Sequence, residues 1–291
     1  MHSPTIFSHG ASLTQSANAT SLIDHGWVAL TSGTQWQIAL QMGTFLFAWH
    51  HLIFFSAYLP YFLFNKFKLF EQYKLQPGKE PSPTLWWSCF WHMVREQCLL
   101  HFPLMVSFRG SVAEMGMRWT LPLPSWSEII PALLFCLVVE DFFAYWLHRA
   151  LHWGPLYKYI HKVHHTYTAP FGLVAEYGHP AETLLLGIGF TTGPLLWSKY
   201  VGMHVFTMIL WVAVRLLTTM ETHCGYDMPW GLNNLIPFWG GAPFHDHHHR
   251  VFNGNYGGSF RFWDWAMGTD KRFREEARIK SSKVSKLEKE E

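Results

Sequence analysis

Charge is what this sequence has least of. Only 14% of its 291 residues are Asp, Glu, Lys or Arg, against roughly a quarter in an ordinary soluble domain. The charges present are crowded toward one end. Residues 271–291 hold 8 of the 22 Lys and Arg and 5 of the 20 Asp and Glu, and no Lys or Arg precedes Lys66. So little charge cannot clothe a water-exposed surface for the preceding residues. The missing basic face excludes a nucleic-acid partner, and the 49% hydrophobic content excludes a disordered chain. Cysteine is scarce too. Cys89, Cys98, Cys136 and Cys224 form no CxxC pair and mostly sit in or beside apolar runs. They read as small buried hydrophobes, not as a disulfide framework or a zinc ribbon. Strand-like alternation is sparse and no internal repeat is visible, so the chain is expected to be mostly helical. The first 35 residues lack the basic stretch of a cleavable signal peptide, and both they and residues 271–291 read as flexible ends.

What the sequence has instead is apolar runs. Gln37–Leu59 is long enough to span a bilayer. Leu85–Phe108 is a weaker candidate, because Arg95 and Glu96 sit at its centre. That pair is expected to bond internally, to face protein, or to mark a break between two half-helices. Ile129–Leu147 is a third run, with Glu140 and Asp141 near its end. Thr183–Val214 is a fourth, read as a helical hairpin or two short spans. Lys66, Lys68, Lys74 and Lys79 follow run one, and Arg149, Lys158 and Lys162 follow run three. The excess of positive charge in cytoplasmic loops then places the N-terminus outside the cytosol and these loops inside it. The sequon Asn18-Ala19-Thr20 agrees with a lumenal N-terminus.

The other excess is histidine, with 19 copies, twelve of them between His148 and His249. Three clusters stand out: His148 with His152, His161 with His164 and His165, and His245 with His248 and His249. On a helix, residues three and four apart share a face, so each cluster is expected to project its rings together. Two histidines one turn apart are a metal clamp. A tetrahedral zinc takes four ligands and an octahedral metal six, so eight imidazoles favour two metals. Imidazole suits iron, zinc, copper and nickel alike. His247 faces away from its neighbours on such a helix. His50, His51, His92, His101 and His204 read as hydrogen-bonded core residues. All three clusters are expected on one side of the membrane, where apolar run meets water. The expected fold is thus all-α: an integral membrane helical protein with a cytosolic histidine-rich di-metal cap.

The pattern HxxxH, HxxHH, HxxHH between apolar helices resembles the membrane-bound fatty acid hydroxylase and sterol desaturase superfamily. Linked segments resemble its C-4 methylsterol oxidases more closely: Ala175-Glu-Tyr-Gly-His-Pro180, His223-Cys-Gly-Tyr-Asp227, Asn253-Gly-Asn-Tyr256, Trp263-Asp264 and Gly268-Thr-Asp270. The resemblance covers about residues 128–270. It implies a non-haem centre of two iron ions that activates O2. It also implies oxidation of a sterol C-4 methyl through alcohol and aldehyde to carboxylate. Electrons are expected from NAD(P)H through cytochrome b5 and its reductase, and a sterol C-4 decarboxylase/dehydrogenase as a further partner. The implied place is the endoplasmic reticulum membrane, with the active site facing the cytosol.

Carried over, His148, His152, His161, His164, His165, His245, His248 and His249 are the expected ligands and catalytic residues. His179 and His223 match further family histidines. Alternatively, His179 caps a turn and His223 bonds Asp227. Glu140, Asp141, Glu176, Asp227 and Asp246 are candidates to orient the rings. Ala144 departs from the family, where a histidine is expected, which puts substrate choice in question. The domain plan is a polar segment at 1–35, a transmembrane region at 36–127, a catalytic domain at 128–270 and a charged tail at 271–291. The rival readings are a sterol C-5 desaturase, a sterol side-chain hydroxylase, a fatty acid or alkylglycerol hydroxylase, an aldehyde-processing wax enzyme, and a non-catalytic membrane metal-binding protein.

Overall fold

The computed structural model describes residues 21–107 and 115–290, with the backbone alone for Gln35 and residues 283–290. The Asn18 sequon and Phe108, the last residue of the second apolar run, lie outside the described residues. Among the described residues the main helices are α1 (Leu22–Thr31), α2 (Gln35–Phe67), α3 (Pro83–Glu96), α4 (Trp126–Leu151), α5 (Pro180–Tyr200), α6 (Val205–His223), α7 (Gly241–Val251), α8 (Phe262–Met267) and α9 (Lys271–Glu290). No strand occurs among them, only isolated bridges, so the fold is all-α as expected.

Three helices are long and apolar enough to cross a membrane: Trp36–Phe67, Trp126–Leu151 and Val205–His223. They account for run one, run three and the second half of run four. At 33 residues, α2 is about 50 Å long, against a bilayer core of about 30 Å. On α4, Ile130, Leu134, Val138 and Phe142 recur every fourth residue and all are exposed. On a helix long and apolar enough to cross a membrane, such a stripe fits contact with lipid. The protein is therefore a helical membrane protein.

Run two stays helical past its charges, to residue 107. After α3 ends at Glu96, the chain makes a π-helical turn over Gln97–His101. Arg95 Nη2 lies 3.3 Å from Glu96 Oε1, so the adjacent charges pair with each other. Run four is two helices, parted at residues 201–204. Gly193 and Pro194 lie inside α5 and not at the turn. A side chain at Gly193 would come within 2.8 Å of Cys136 Cα, and one at Gly189 within 2.7 Å of Phe143 Cβ. These two glycines, one turn apart, let α5 approach α4 backbone to side chain.

Of the two segments expected to be flexible ends, residues 1–20 and 291 lie outside the described residues, and the described parts are helical. Leu22–Thr31 is a helix because Ser21 and Asp24 form a reciprocal capping box. Lys271–Glu290 is a helix whose first turns carry the pairs Asp270–Arg274 and Arg272–Glu276 at helical spacing.

The chain divides into two compact units. One comprises the described parts of Met1–Leu52, Arg95–Leu137 and Thr192–Val214. Several of its buried polar groups pair within the unit. Trp27 donates to the Trp119 carbonyl at 2.6 Å, and His204 lies 3.3 Å from the Thr120 carbonyl. His50 pairs with Gln97 at 3.3 Å. The other unit comprises Ile53–Val94, Val138–Thr191 and Arg215–Glu291. In its interior Arg215 pairs with Glu140 at 2.8 Å, and Asp141 accepts from the Ser259 and Phe260 amides. This second unit carries all three histidine clusters.

Candidate metal centre

The histidines are delivered by local structure of different kinds. His148 lies in the last turn of α4, and His152 follows its end. His161 closes a π-helical turn, Tyr157–His161, and His164 and His165 lie on the 3-10 turn His164–Thr166. The second cluster is thus not on a regular α-helix, and its rings do not share one face. His223 is the last residue of α6, and His245, His248 and His249 lie on α7.

These rings sort into two groups. His148, His152, His161, His165 and His248 form one; His164, His223, His245 and His249 form the other. Within each group the ligand nitrogens lie within 4.8 Å of one another. Both HxxHH clusters are split. His161 and His165 join the five-membered group while His164 joins the four. His248 joins the five while His245 and His249 join the four. Eight rings are buried, and His152 alone is half-exposed.

The outward nitrogens decide what the inward ones are. His148 Nδ1 lies 2.9 Å from the Tyr256 carbonyl and His248 Nδ1 2.7 Å from the Gly254 carbonyl. In the other group, His164, His223 and His249 present Nδ1 to the carbonyls of Tyr177, Thr219 and Tyr167 at 2.9, 2.9 and 3.0 Å. His161 Nδ1 lies 2.9 Å from a carboxylate oxygen of Glu182. A carbonyl only accepts, so each Nδ1 facing one carries the proton and leaves Nε2 as a bare lone pair. Charging the rings instead is opposed by burial. Desolvation, reinforced by neighbouring imidazoles, pushes His152 down to about 2, and burial is the chief cause that lowers His161, His164, His165, His245, His248 and His249 as well.

The Nε2 atoms then converge. His161 Nε2 lies 3.0 Å from both His148 Nε2 and His165 Nε2, and His248 Nε2 lies 3.1 Å from His165 Nε2. In the second group, His245 Nε2 lies 2.9 Å from His223 Nε2 and 3.0 Å from His249 Nε2. Where both Nε2 atoms are bare, as for His164 and His223 at 3.5 Å, the rings repel unless a cation sits among them. Neutral, oriented imidazole is the form that binds iron, zinc, copper and nickel, so the residues fit a metal in each group. Tyr157 and Tyr256 pack on His152 at 5.4 and 5.1 Å between ring centres, and Phe252 packs on His165 at 5.1 Å. An aromatic wall of this kind limits water.

The remaining expectations fall on both sides. His179 joins neither group; its Nδ1 accepts from the Ala181 amide at 3.1 Å, at the start of α5. His223 bonds Thr219 and not Asp227, whose carboxylate accepts from Asn233 and Asn234. His247 belongs to neither group and lies 3.5 Å from Glu276. Asp246 accepts from Gln76, Glu140 pairs with Arg215, and Asp141 serves a loop, so none of these three is recorded against a clustered ring. The carboxylate that does meet one is Glu182, which sequence reasoning missed. It lies in the first turn of α5, where an acidic residue reads as a helix-start preference.

A family model described as fatty acid hydroxylase matches residues 133–269, a stretch that contains all nine rings. The very-long-chain aldehyde decarbonylase GL1-11 of Oryza sativa subsp. japonica is 44% identical over 260 residues, 88% of this chain and 95% of that protein. Methylsterol monooxygenase 2-2 of Arabidopsis thaliana is 42% identical over 258 residues, 87% of this chain and 94% of that protein. Methylsterol monooxygenase erg25A of Aspergillus fumigatus is 42% identical over 235 residues, 80% of this chain and 78% of that protein. No solved structure matches the chain.

Proposed function

The chain belongs to the fatty acid hydroxylase family, and from that premise we propose that it is a membrane-bound di-iron monooxygenase acting on the C-4 methyl group of sterol precursors. The observation that carries the metal centre is the convergence of imidazole nitrogens in two groups. The observation that favours the substrate is the likeness to methylsterol monooxygenases over most of the chain.

His148, His152, His161, His165 and His248 would hold one iron, and His164, His223, His245 and His249 the other. An unactivated methyl C–H has no acidic proton, so general acid–base groups cannot start the reaction, and two irons held there would supply the redox chemistry with O2. The chain's own residues do the rest. The carbonyls of Tyr256, Gly254, Tyr177, Thr219 and Tyr167 hold the Nδ1 protons of His148, His248, His164, His223 and His249 and keep those five rings in their donor tautomer. Tyr157, Tyr256 and Phe252 exclude water. Half-exposed His152 marks the open side of the five-histidine group.

Each oxygenation places one atom of O2 in the substrate and sends the other to water. NAD(P)H-derived electrons arriving through cytochrome b5 and its reductase supply the reducing pair. Repetition takes methyl to alcohol, aldehyde and carboxylate, which a sterol C-4 decarboxylase/dehydrogenase then consumes. In this reading residues 128–270 are the catalytic segment, between a transmembrane region at 36–127 and a tail at 271–291. The protein resides in the endoplasmic reticulum membrane with its histidines toward the cytosol.

The rice relatives favour a second reading, in which the same centre acts on very-long-chain aldehydes. Complementation separates the two. The chain is expressed in cells lacking their C-4 methylsterol oxidase, beside a His161→Ala variant, and sterols and alkanes are profiled by mass spectrometry. Loss of accumulated 4-methylated sterols with the native chain alone is the expected result. New alkanes without sterol rescue would transfer the assignment to aldehydes.

A further inference from the structure

His148 and His248 owe their orientation to one short loop. The carbonyls of Tyr256 and Gly254 accept their Nδ1 protons, so the placement of residues 254–257 sets the direction of two of the five Nε2 atoms. Three positions, two of them glycines, make that loop tight. Gly254 has φ +90°, and a side chain there would sit 2.2 Å from the Thr269 carbonyl. Asn255 also lies in the left-handed region, at φ 57°, and its amide side chain donates to the Phe244 carbonyl. At Gly257 a side chain would meet the Phe260 carbonyl at 2.4 Å.

The loop is held from below by a single carboxylate. Asp264, on α8, is fully buried. Its Oδ1 accepts from the Tyr256 amide at 2.9 Å and from the Thr269 hydroxyl at 2.5 Å, and its Oδ2 accepts from the Gly257 amide at 2.6 Å. The Asp264 backbone carbonyl in turn accepts from the Thr269 amide at 2.9 Å. Every donor around the carboxylate points inward, so both oxygens must accept.

We infer that Asp264 is a positioning residue for the five-histidine group: through the amides of Tyr256 and Gly257 it sets the loop whose carbonyls aim His148 and His248. It touches neither ring. An Asp264→Asn side chain has the same shape but one acceptor fewer. Whichever way it turns, its NH2 meets either the Tyr256 or the Gly257 amide, and that N–H loses its partner.

The inference rests on the proposed metal centre, and the test keeps the two apart. Asp141→Asn is the control. Asp141 is equally buried and also accepts two backbone amides, from Ser259 and Phe260, but neither of those residues is recorded as orienting a ring. The full chain is purified in lipid nanodiscs as the native form, Asp264→Asn, Asp141→Asn, His223→Ala and the Asp264→Asn/His223→Ala double variant. Bound iron after ferrous loading is measured by mass spectrometry and thermal stability by a melting curve.

Asp264→Asn is expected to weaken iron binding at the five-histidine group about 10- to 100-fold, halving the iron retained at limiting metal. Adding His223→Ala to it removes the rest, whereas His223→Ala alone keeps the five-histidine iron. Asp141→Asn is expected to melt earlier with the native iron content. Native iron content in Asp264→Asn overturns the inference, and so does equal loss of iron in both Asp variants. A native chain that takes up no iron overturns the metal centre itself and the inference with it.

Discussion

The two histidine groups are unequal. The five-histidine group has a carboxylate, Glu182, against His161 Nδ1, and one half-exposed ring in His152. The four-histidine group is wholly buried, and its rings are oriented by neutral groups, the backbone carbonyls of Tyr177, Thr219 and Tyr167 and the Thr222 hydroxyl. A carboxylate behind an imidazole raises the basicity of its far nitrogen more than a neutral carbonyl does. Extra negative charge also stabilises a cation in a dry site. The comparison therefore teaches that two ions of one element would sit in different fields, the more accessible one beside the more basic donors.

The largest expected effect comes from removing a ring at the centre of the five-membered group. His161 Nε2 faces both His148 and His165, so His161→Ala should abolish sterol rescue and lower bound iron by about half, read by complementation and metal analysis. His223→Ala should do the same to the four-membered group. If instead each variant empties both groups, the comparison breaks and the nine rings act as one cooperative site.

Glu182→Gln sharpens the comparison. A glutamine keeps the shape beside His161 Nδ1 but brings no charge, so the five-histidine group should lose about tenfold in iron affinity. The four-histidine group should be unchanged, which iron titration of a His223→Ala background would separate. An effect of equal size on both groups would remove the asymmetry.

The smallest effect is expected at His179. Its ring accepts one amide at a helix start, so His179→Ala should cost about 1 kcal/mol of stability and leave bound iron at the native level, by melting and metal analysis. Loss of iron in that variant would return His179 to the ligand set.

The membrane architecture was legible in the sequence because lipid acts on whole segments. Runs such as Gln37–Leu59 and Ile129–Leu147 need no partner to be recognised. The histidines of the centre were legible for a related reason: eight of the nine stand three or four residues from another, a local signature. His223 has no such neighbour, and only its likeness to a family segment singled it out. His179 carries the same kind of likeness yet packs elsewhere. The orienting groups were the least legible. Glu182 sits 21 positions from His161 and reads as an ordinary helix-start acid. Asp246, beside a cluster in sequence, serves Gln76 instead.

By itself, then, the sequence determined an all-helical membrane protein with a metal-competent histidine inventory, since apolar length and imidazole chemistry are properties of the residues themselves. Only the tertiary structure decided which ring serves which group. His164 and His165 are adjacent in the chain and part company, because successive side chains leave the 3-10 turn in different directions and meet different walls: His223 with His249 on one side, His161 with His248 on the other. That division depends on how separate helices pack, which no local spacing encodes.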